Sequence, residues 1–333
     1  MFALVTGGGG FLGSHMVEAL LDRGDRVRCF GRRDYPLLRG RGADVVQGDI
    51  RDATAVGDAV RGVDVVFHTA AIAGIWGDWS DYHATNTVGT EHVISACWEH
   101  AIPRLVFTSS PSVTFDGKDQ CGVDESAPYP TRWLCHYPHS KALAERAVLA
   151  AHGQHGLATC ALRPHLIWGP RDTHLVPRLL QRAQAGQLRR IGNGKNLVDM
   201  VYVENAAVAH LQAADRLAID SPVGGKAYFI SQGEPVNCWD WINELLALDR
   251  QPPLNKSIAF QMAWVVGAAL EGAYRFVGRK DEPRMTRFLA AQLATSHFFD
   301  IGAARRDFGY QPKVSTDEGM RRLGDWLDTD CLV

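Results

Sequence analysis

Tyr137 and Lys141 stand four residues apart at the start of a segment with a helical pattern. This spacing places both side chains on one face of a helix. A lysine ammonium close to a tyrosine stabilises the phenolate and lowers the tyrosine pKa from its usual value of about 10. Such a tyrosine can give a proton to a ketone oxygen, or take one from an alcohol in the reverse direction. The pair therefore predicts acid–base chemistry at a carbonyl group.

The position of this pair in the chain supports the prediction. The strand pattern that precedes its helix ends in Thr108, Ser109 and Ser110. Ligands of parallel sheets bind where the strands end. A serine hydroxyl at that edge can polarise a carbonyl and stabilise the charge that develops on its oxygen. A serine, a tyrosine and a lysine together predict the interconversion of a ketone and an alcohol.

A glycine-rich turn follows the first strand pattern, with Gly7, Gly10 and Gly13 at every third position. Gly7 permits the tight turn, Gly10 lets the backbone approach a pyrophosphate, and Gly13 lets the next helix lie close to the sheet. Phe11 and Leu12 begin that helix, whose free N–H groups and positive dipole point at the phosphates. The turn predicts a dinucleotide-binding site.

The end of the second strand pattern indicates which dinucleotide binds. Sites for NAD usually carry an acidic residue there for the ribose 2′-hydroxyl. Here Gly31 holds that position, and Arg32 and Arg33 follow. Because a guanidinium binds a 2′-phosphate that a carboxylate would repel, NADP(H) is the expected cofactor and NAD(H) the alternative. Arg32 is the first candidate and Arg33 the second, although Asp34 can reach the same region.

Two further groups of strand-end residues are candidate cofactor contacts. Asp49, which Ile50 follows, is placed to accept a hydrogen bond from the adenine amino group. Thr69, Ala70 and Ala71 end the fourth strand pattern with small side chains, where bulk would collide with the cofactor. On spacing alone, ordinary strand-end structure explains both groups equally well.

Short apolar strand patterns alternate with helical patterns in the first half of the chain, which indicates βαβ units. The predicted strands are Phe2–Val5, Arg26–Phe30, Val45–Gln47, Val63–Phe67, Leu105–Phe107 and Ala158–Leu162, with isolated later strands at Val198–Val203 and Ala227–Ile230. The predicted helices are Phe11–Arg23, Ala53–Val60, Ser80–His100 and Pro138–His152. The expected fold is α/β, a Rossmann-type doubly wound parallel sheet in residues 1–165. Residues 166–333 are expected to form a smaller, mostly helical substrate domain, with a strand and helix near 198–217 returning to the sheet.

The composition excludes several classes of protein. A formal net charge of −2 over 333 residues gives no basic excess for binding nucleic acid. The seven cysteines, Cys331 included, form no C-x-x-C pair and no zinc-type spacing, which predicts free thiols and no metal site. No secretory signal is visible, and the longest apolar run falls short of the ~20 residues of a transmembrane helix. We expect a cytoplasmic protein.

With these residues in view, the sequence resembles the extended short-chain dehydrogenase/reductase family, and within it the 3β-hydroxysteroid dehydrogenase-like branch. The stretches that carry the resemblance, besides the glycine turn, are Asn86–Thr90, Ala161–His165, Gly169–Asp172 and Gly192–Asp199. The resemblance implies that Ser110 is the catalytic serine and that Asn86 acts in the same site, through its backbone or a water. It also implies that Pro164 and His165 lie along the nicotinamide.

Two subgroups of this branch fit best. The 2-alkyl-3-oxoalkanoate reductases of bacterial long-chain olefin biosynthesis are preferred, on Ala73–Gly77, Thr108–Val113 and Arg305–Tyr310. The sterol-4α-carboxylate 3-dehydrogenases are suggested by Gly192–Asp199, but they are expected to keep an acid where Gly31 stands. Other 3β-hydroxysteroid dehydrogenases, a nucleotide-sugar epimerase and a non-catalytic NADP-binding module are the alternatives.

Signals on the substrate side are weaker. Trp76 and Pro111 are candidate walls of a pocket for a small lipophilic substrate, and His165, Arg171 and His174 are candidate partners of its carboxylate. The apolar pattern over residues 258–277 predicts either a core helix or a lid over a lipid substrate, in peripheral contact with a membrane surface. The resemblance implies a homodimer through the helices predicted at 80–100 and 138–152.

Overall fold

Short β-branched and aromatic segments form the strands of the computed structural model, which describes residues 1–330. The strands are β1 (Phe2–Thr6), β2 (Arg26–Gly31), β3 (Asp44–Gln47), β4 (Val65–His68), β5 (Arg104–Thr108), β6 (Gln120–Val123), β7 (Ala158–Pro164), β8 (Ile167–Trp168), β9 (Arg190–Ile191), β10 (Leu197–Val198), β11 (Val201–Tyr202), β12 (Ala227–Ile230), β13 (Val236–Asn237), β14 (Ser257–Ile258) and β15 (His297–Phe299). Seven of them form one parallel sheet in the order β3-β2-β1-β4-β5-β7-β12. The strand order reverses between β1 and β4, which is where ligands bind in such sheets.

Helices cover both faces of this sheet. They are α1 (Phe11–Asp22), α2 (Pro36–Gly40), α3 (Ala53–Val60), α4 (Trp79–Tyr82), α5 (Gly89–Glu99), α6 (His136–Ala150), α7 (Leu175–Gln184), α8 (Val203–Arg216), α9 (Cys238–Leu248), α10 (Phe260–Phe276), α11 (Arg287–Ala294), α12 (Gly302–Phe308) and α13 (Thr316–Asp330). Successive side chains of β1 point to opposite faces: Val5 packs in one core with α1 and α8, and Leu4 in a second core with α3, α5 and α6. The expected doubly wound α/β fold is confirmed.

Two elements differ from the sequence prediction, and a third has the predicted bounds but joins the large sheet. The predicted helix 80–100 contains a π-helical segment, His83–Val88, between α4 and α5. The predicted strand 198–203 is divided into β10 and β11, which join different small sheets. The predicted strand 227–230 is β12, and it pairs with β7 as the edge strand of the large sheet, because its apolar residues match the buried residues of β7 in register.

The second half of the chain builds a separate apolar core beside the carboxyl edge of the sheet. Large aromatic side chains from β8, β11 and α9 fill this core, among them Trp168, Tyr202, Trp239 and Trp241. Helices α7, α10 and α11 lie around it. None of the helices described between residues 1 and 330 is both long and apolar enough to cross a bilayer. Six cysteines are free thiols, and Cys331 lies outside the described residues.

A buried ion pair connects helix α6 to strand β7. Arg163 and Glu145 are almost fully buried and lie 2.6 Å apart, and the Tyr129 hydroxyl donates to the same carboxylate at 2.7 Å. The surroundings of this pair are of low polarity. Removal of one partner is therefore costly, because the other charge stays buried without compensation.

We therefore expect Arg163→Met to lower the free energy of unfolding by about 3–5 kcal/mol, as measured by urea denaturation. Arg321→Met is the matched control, because the ion pairs of Arg321 on α13 are exposed and exposed pairs contribute about 1 kcal/mol or less. Equal losses in the two variants would show that the buried pair contributes nothing special to stability.

Candidate active site

The glycine turn between β1 and α1 has the backbone geometry that the spacing predicts. Gly7 adopts φ +67°, and its N–H donates to the Phe30 carbonyl at 2.8 Å. A Cβ atom on Gly13 would lie 2.2 Å from the Gly7 oxygen, and one on Gly10 would lie 3.1 Å from it. Helix α1 can therefore begin this close to the strand only without side chains at these positions. The turn leaves its backbone open to a ligand, as a pyrophosphate site requires.

A cleft of about 750 Å³ runs from this turn along the ends of the central strands. Nearly all the sequence-predicted cofactor residues line it: Gly7, Gly10, Phe11, Leu12, Gly13, Arg32, Arg33, Asp49, Ile50, Thr69, Ala70, Ala71, Lys141 and Pro164. His165 lies instead in the cavity next to it. The cleft is long, open and lined by glycine backbone at one end, so the residues present fit an extended dinucleotide.

Tyr35 lies at the end of the cleft beside the two arginines, and sequence reasoning missed it. A Cβ atom on Gly9 would fall 1.9 Å from the Tyr35 ring, and one on Gly31 would fall 2.6 Å from its hydroxyl oxygen. Tyr35 thus fills the space that an acidic side chain at position 31 would need. The glycines at positions 9 and 31 are the only sign of this packing in the sequence, and they do not indicate which residue fills the space beside them.

The charged residues at this end differ in their pairing. Arg32 and Arg33 are exposed at the cleft, and within residues 1–330 neither forms an ion pair. Asp34 is paired with Arg39 at 2.7 Å. Asp49 is paired with Arg51 at 2.6 Å, and that hydrogen-bonded guanidinium holds the pKa of Asp49 below its usual value. The positive charge of Arg32 and Arg33 is therefore available to an anion.

Lys141 is buried at the other end of the cleft. Its Nζ donates to the Thr108 carbonyl at 2.6 Å and lies 4.0 Å from the centroid of the Phe107 ring. Burial lowers the pKa of Lys141 to about 7, although the Glu145 carboxylate acts in the opposite direction. The lysine thus ties α6 to the end of β5.

Tyr137 lies one turn earlier on α6 and lines the cleft with Ser110. Burial raises the pKa of Tyr137, and the neighbouring Ser110 hydroxyl opposes the rise. The spacing predicts that the lysine ammonium lowers this pKa; in this structure burial raises it instead. The phenol is therefore protonated at neutral pH, which is the form that a proton donor needs.

Ser110 caps a short 3-10 turn, Pro111–Thr114, that follows β5. Its hydroxyl shares a hydrogen bond of 2.8 Å with the hydroxyl of Ser112 and accepts one from the Ser112 N–H at 3.2 Å. The cap fixes the serine at the strand end, next to Tyr137. The structure therefore brings the predicted serine, tyrosine and lysine to one edge of the sheet.

Asn86 lies in the π-helical segment and is buried. Its side chain exchanges two hydrogen bonds with the backbone of Ile72, at 2.8 and 3.0 Å, and donates a third to Ser140 at 3.0 Å. These contacts hold the chain after β4 against helix α6. The amide thus positions the cleft wall next to Tyr137.

A second cavity, of about 510 Å³, opens beside Ser110 and Tyr137 and extends into the second half of the chain. We call it the apolar cavity, because Leu179, Met200, Trp241, Phe288 and similar side chains form most of its wall. Among the predicted substrate residues, Pro111, His165 and His174 line it. It meets the dinucleotide cleft at Ser110 and Tyr137, which both spaces share.

Two predicted substrate residues lie elsewhere. Arg171 is bound to Glu18 on helix α1 at 2.7 Å, and its guanidinium also meets the ring of His15. Trp76 donates from its ring nitrogen to the Arg279 carbonyl at 3.3 Å and lines a more polar depression next to the apolar cavity. The structure brings neither side chain into the apolar cavity.

Helix α10 corresponds to the apolar pattern predicted at 258–277. Its buried residues, Ala263, Gly267 and Glu271, form a narrow stripe. Large apolar side chains on the other side are exposed, including Val265 at 65 % and Phe276 at 92 %. Helix α10 therefore lies on the surface of the protein, and only a narrow stripe of it packs against the rest of the chain.

The comparisons with known proteins agree with this geometry. A family model described as the 3-beta hydroxysteroid dehydrogenase/isomerase family matches residues 4–262. The chain belongs to this family. A 2-alkyl-3-oxoalkanoate reductase from Stenotrophomonas maltophilia is 48% identical over 97% of this chain and 98% of the relative. A reductase of the same name from Shewanella oneidensis is also 48% identical, over 96% of this chain and 85% of the relative.

The chain is also similar to more distant relatives and to solved structures. A decarboxylating sterol-4-alpha-carboxylate 3-dehydrogenase from Mus musculus is 36% identical over 96% of this chain and 88% of its own length. The solved structure of gox2253 has a TM-score of 0.79 at 25% identity and covers 99% of this chain and 98% of its own. A UDP-glucose 4-epimerase from Thermotoga maritima shares the fold, with a TM-score of 0.78 at 19% identity. The predicted extended short-chain dehydrogenase/reductase membership is confirmed, and the protein is an NAD(P)-dependent oxidoreductase.

The buried state of Lys141 predicts a pH dependence of stability. Its pKa is about 7 in the folded protein and 10.5 as the ordinary value, so the unfolded chain binds more protons between these pH values. The folded protein must therefore lose stability through this group as pH falls from 10.5 towards 7. We expect the free energy of unfolding of the wild type, minus that of Lys141→Met, to increase from pH 7 to pH 10 in urea titrations without cofactor.

Lys256→Met is the control for this measurement. The Lys256 side chain is exposed, so the difference between wild type and this variant is expected to stay constant over the same range. A constant difference for Lys141→Met as well would mean that the Lys141 ammonium is not desolvated.

Proposed function

We propose that the protein is an NADPH-dependent reductase of 2-alkyl-3-oxoalkanoates, which converts the C3 ketone into a secondary alcohol. The observation that carries this proposal is the junction of the two spaces at Ser110 and Tyr137. One space fits an extended dinucleotide, and the other accepts a lipophilic chain. The identity of 48% to two reductases of this name supports the same substrate class.

Each residue at the junction has a separate role in the proposed reaction. The dinucleotide, when bound, supplies the hydride. The Tyr137 hydroxyl gives its proton to the ketone oxygen, and the Ser110 hydroxyl donates a hydrogen bond to that oxygen as negative charge develops on it. Lys141 holds the tyrosine helix in place and has ammonium protons available for ribose hydroxyls. Asn86 positions the neighbouring wall. Tyr137 must carry its proton to act as the acid in the reduction direction.

NADP(H) is the cofactor that we propose for this reaction. Two observations support NADP(H): Arg32 and Arg33 form no ion pair within residues 1–330, and Tyr35 occupies the place of the acidic residue that binds a 2′-hydroxyl in NAD sites. A 2′-phosphate would compensate both positive charges. Pro164 is proposed to lie on the nicotinamide side, where β7 ends, and His165 to border the same region from the apolar cavity.

A sterol or steroid 3-dehydrogenase is the second candidate, favoured by the identity of 36% to the mouse enzyme. A lipophilic substrate fits both candidates. We also propose peripheral contact of the exposed α10 face with a lipid surface, because basic residues follow its apolar side chains. A homodimer through α5 and α6 is proposed from family resemblance.

Replacement of Tyr137 tests the assigned chemistry. We expect the wild type to oxidise NADPH with a 2-alkyl-3-oxo acid faster than with a 3-oxosteroid, and Tyr137→Phe to lower kcat by about 10²–10⁴-fold. The Kd for NADPH, measured by calorimetry, is expected to stay within about threefold, since only a proton donor is lost.

Tyr228→Phe serves as the matched control, because Tyr228 is a buried tyrosine with a hydrogen-bonded hydroxyl outside the cleft. Its kcat is expected to remain close to that of the wild type. A Tyr137→Phe enzyme with wild-type kcat would refute the proton-donor assignment, and a preference for the 3-oxosteroid would favour the second candidate.

Charge reversal at the cleft tests the cofactor assignment. Loss of a hydrogen bond to a charged group costs about 1.5–3 kcal/mol, so Arg32→Asp is expected to raise the KM for NADPH by about 10–100-fold. The KM for NADH is expected to change little, because NADH carries no 2′-phosphate. Arg61→Asp, an exposed arginine outside the cleft, is the control. An equal rise for both cofactors would contradict the proposed role of Arg32.

A further inference from the structure

The apolar cavity contains a charge arrangement that neither the family resemblance nor the mechanism uses. Arg178 and Arg182 on helix α7 both line the cavity, together with Glu282 from the segment between α10 and α11. Both guanidiniums bind the same carboxylate oxygen, Oε1 of Glu282; the Arg182 bond measures 3.1 Å. Two positive charges thus share one negative charge in a mostly apolar space.

Helix α7 explains how the two arginines come together. Asp172 accepts hydrogen bonds from the N–H groups of His174, Leu175 and Val176 and so caps the start of the helix. Val176 turns inward and is buried. Arg178 and Arg182 stand four residues apart, so they share one face, and that face is the cavity wall.

Two guanidiniums that share one carboxylate leave one positive charge uncompensated, and this charge costs stability unless a second anion binds. Like charges four residues apart on a helix repel each other. The Arg182 side chain is only 21% exposed, and burial and the neighbouring Arg178 charge lower its pKa against the raising effect of Glu282. Within the described chain, each guanidinium makes its side-chain hydrogen bond to Glu282, although a guanidinium carries five N–H donors. Donors and one unit of positive charge remain for a second anion.

We propose that Arg178 and Arg182 bind the carboxylate of the substrate, and that Glu282 is the internal carboxylate with which it shares them. This inference rests on the proposed function, in which the substrate is a 3-oxo acid. The carboxyl carbon of such an acid is two bonds from the reacting ketone carbon, so the carboxylate must lie in the same cavity as Ser110 and Tyr137. Its charge would make the cavity neutral, as a buried anion requires.

A site of this kind also discriminates between the acid and its neutral analogues. A methyl ester or the ketone left by decarboxylation has the same chains but no negative charge. Bound to the site, either leaves the surplus positive charge of the two arginines uncompensated. The arginines thereby select the carboxylate form, while the apolar wall selects the chains.

The test compares a 2-alkyl-3-oxo acid with its methyl ester as substrates of the NADPH-loaded enzyme. Loss of one charged hydrogen-bond partner is worth about 10–100-fold in binding. Arg178→Met and Arg182→Met are therefore expected to raise the KM for the acid by about that factor, and the KM for the ester far less. Arg284→Met is the control, because Arg284 is an exposed arginine on the same segment as Glu282.

Glu282→Gln distinguishes this role from a structural one. If the arginines bind substrate, removal of the competing carboxylate lowers the KM for the acid and leaves that for the ester unchanged. If they serve only to fasten the segment of Glu282, then Glu282→Gln, Arg178→Met and Arg182→Met all raise the KM for acid and ester alike, and the proposal is overturned.

Binding without turnover separates this proposal from the proposed function. Calorimetry with tetradecanoate and with tetradecan-1-ol is expected to show tighter binding of the acid to the wild type, and loss of this preference in Arg182→Met. A wild type that reduces the 3-oxo acid but shows no preference for tetradecanoate would refute the carboxylate site alone. A wild type that prefers tetradecanoate but does not reduce the 3-oxo acid would refute the reductase assignment and leave the site in place.

Discussion

The burial of the Lys141 ammonium is the constraint on which the geometry of the site depends. A charged or polar group inside a protein must find partners, and Lys141 finds the Thr108 carbonyl and the face of Phe107. Both partners belong to the end of β5. The lysine can be buried only if α6 approaches this edge closely, and that approach places Tyr137, one turn earlier, beside Ser110.

Glu145 extends the same constraint to the next strand. It follows Lys141 by one helical turn, its charge raises the lysine pKa against the effect of burial, and Arg163 on β7 pairs with it. Helix α6 is therefore held by polar contacts to two adjacent strands. Such contacts restrict sliding and rotation more than apolar packing does, because each hydrogen bond has a direction. These contacts hold Tyr137, the proposed proton donor, in a defined position on the helix.

Most of the features predicted from sequence lie close together in the chain. Tyr137 and Lys141 share one helix face, and Gly7, Gly10 and Gly13 share one turn, so spacing alone locates them. The pairing of β12 with β7, the packing of Tyr35 on Gly9 and Gly31, and the ion pair of Arg171 with Glu18 depend on how distant segments meet. No local pattern contains that information. Nothing in the sequence near Arg178 and Arg182 indicates that they meet Glu282, about a hundred residues later, at the wall of a cavity.

The difference between local sequence patterns and contacts between distant segments also explains why the reaction class is easier to derive from the sequence than the substrate. The dinucleotide half of the chain consists of repeated strand–helix units, and an epimerase at 19% identity keeps that fold; a shared fold does not define a substrate. The apolar cavity, in contrast, combines first-half residues such as Ser110 and Tyr137 with α7, α9, α11 and the segment of Glu282, which come from separate parts of the second half. Its shape and its surplus charge arise only after these parts have packed. The proposed specificity therefore depends on long-range packing, whereas the position of Tyr137, the proposed proton donor, follows from one helix and the strand beside it.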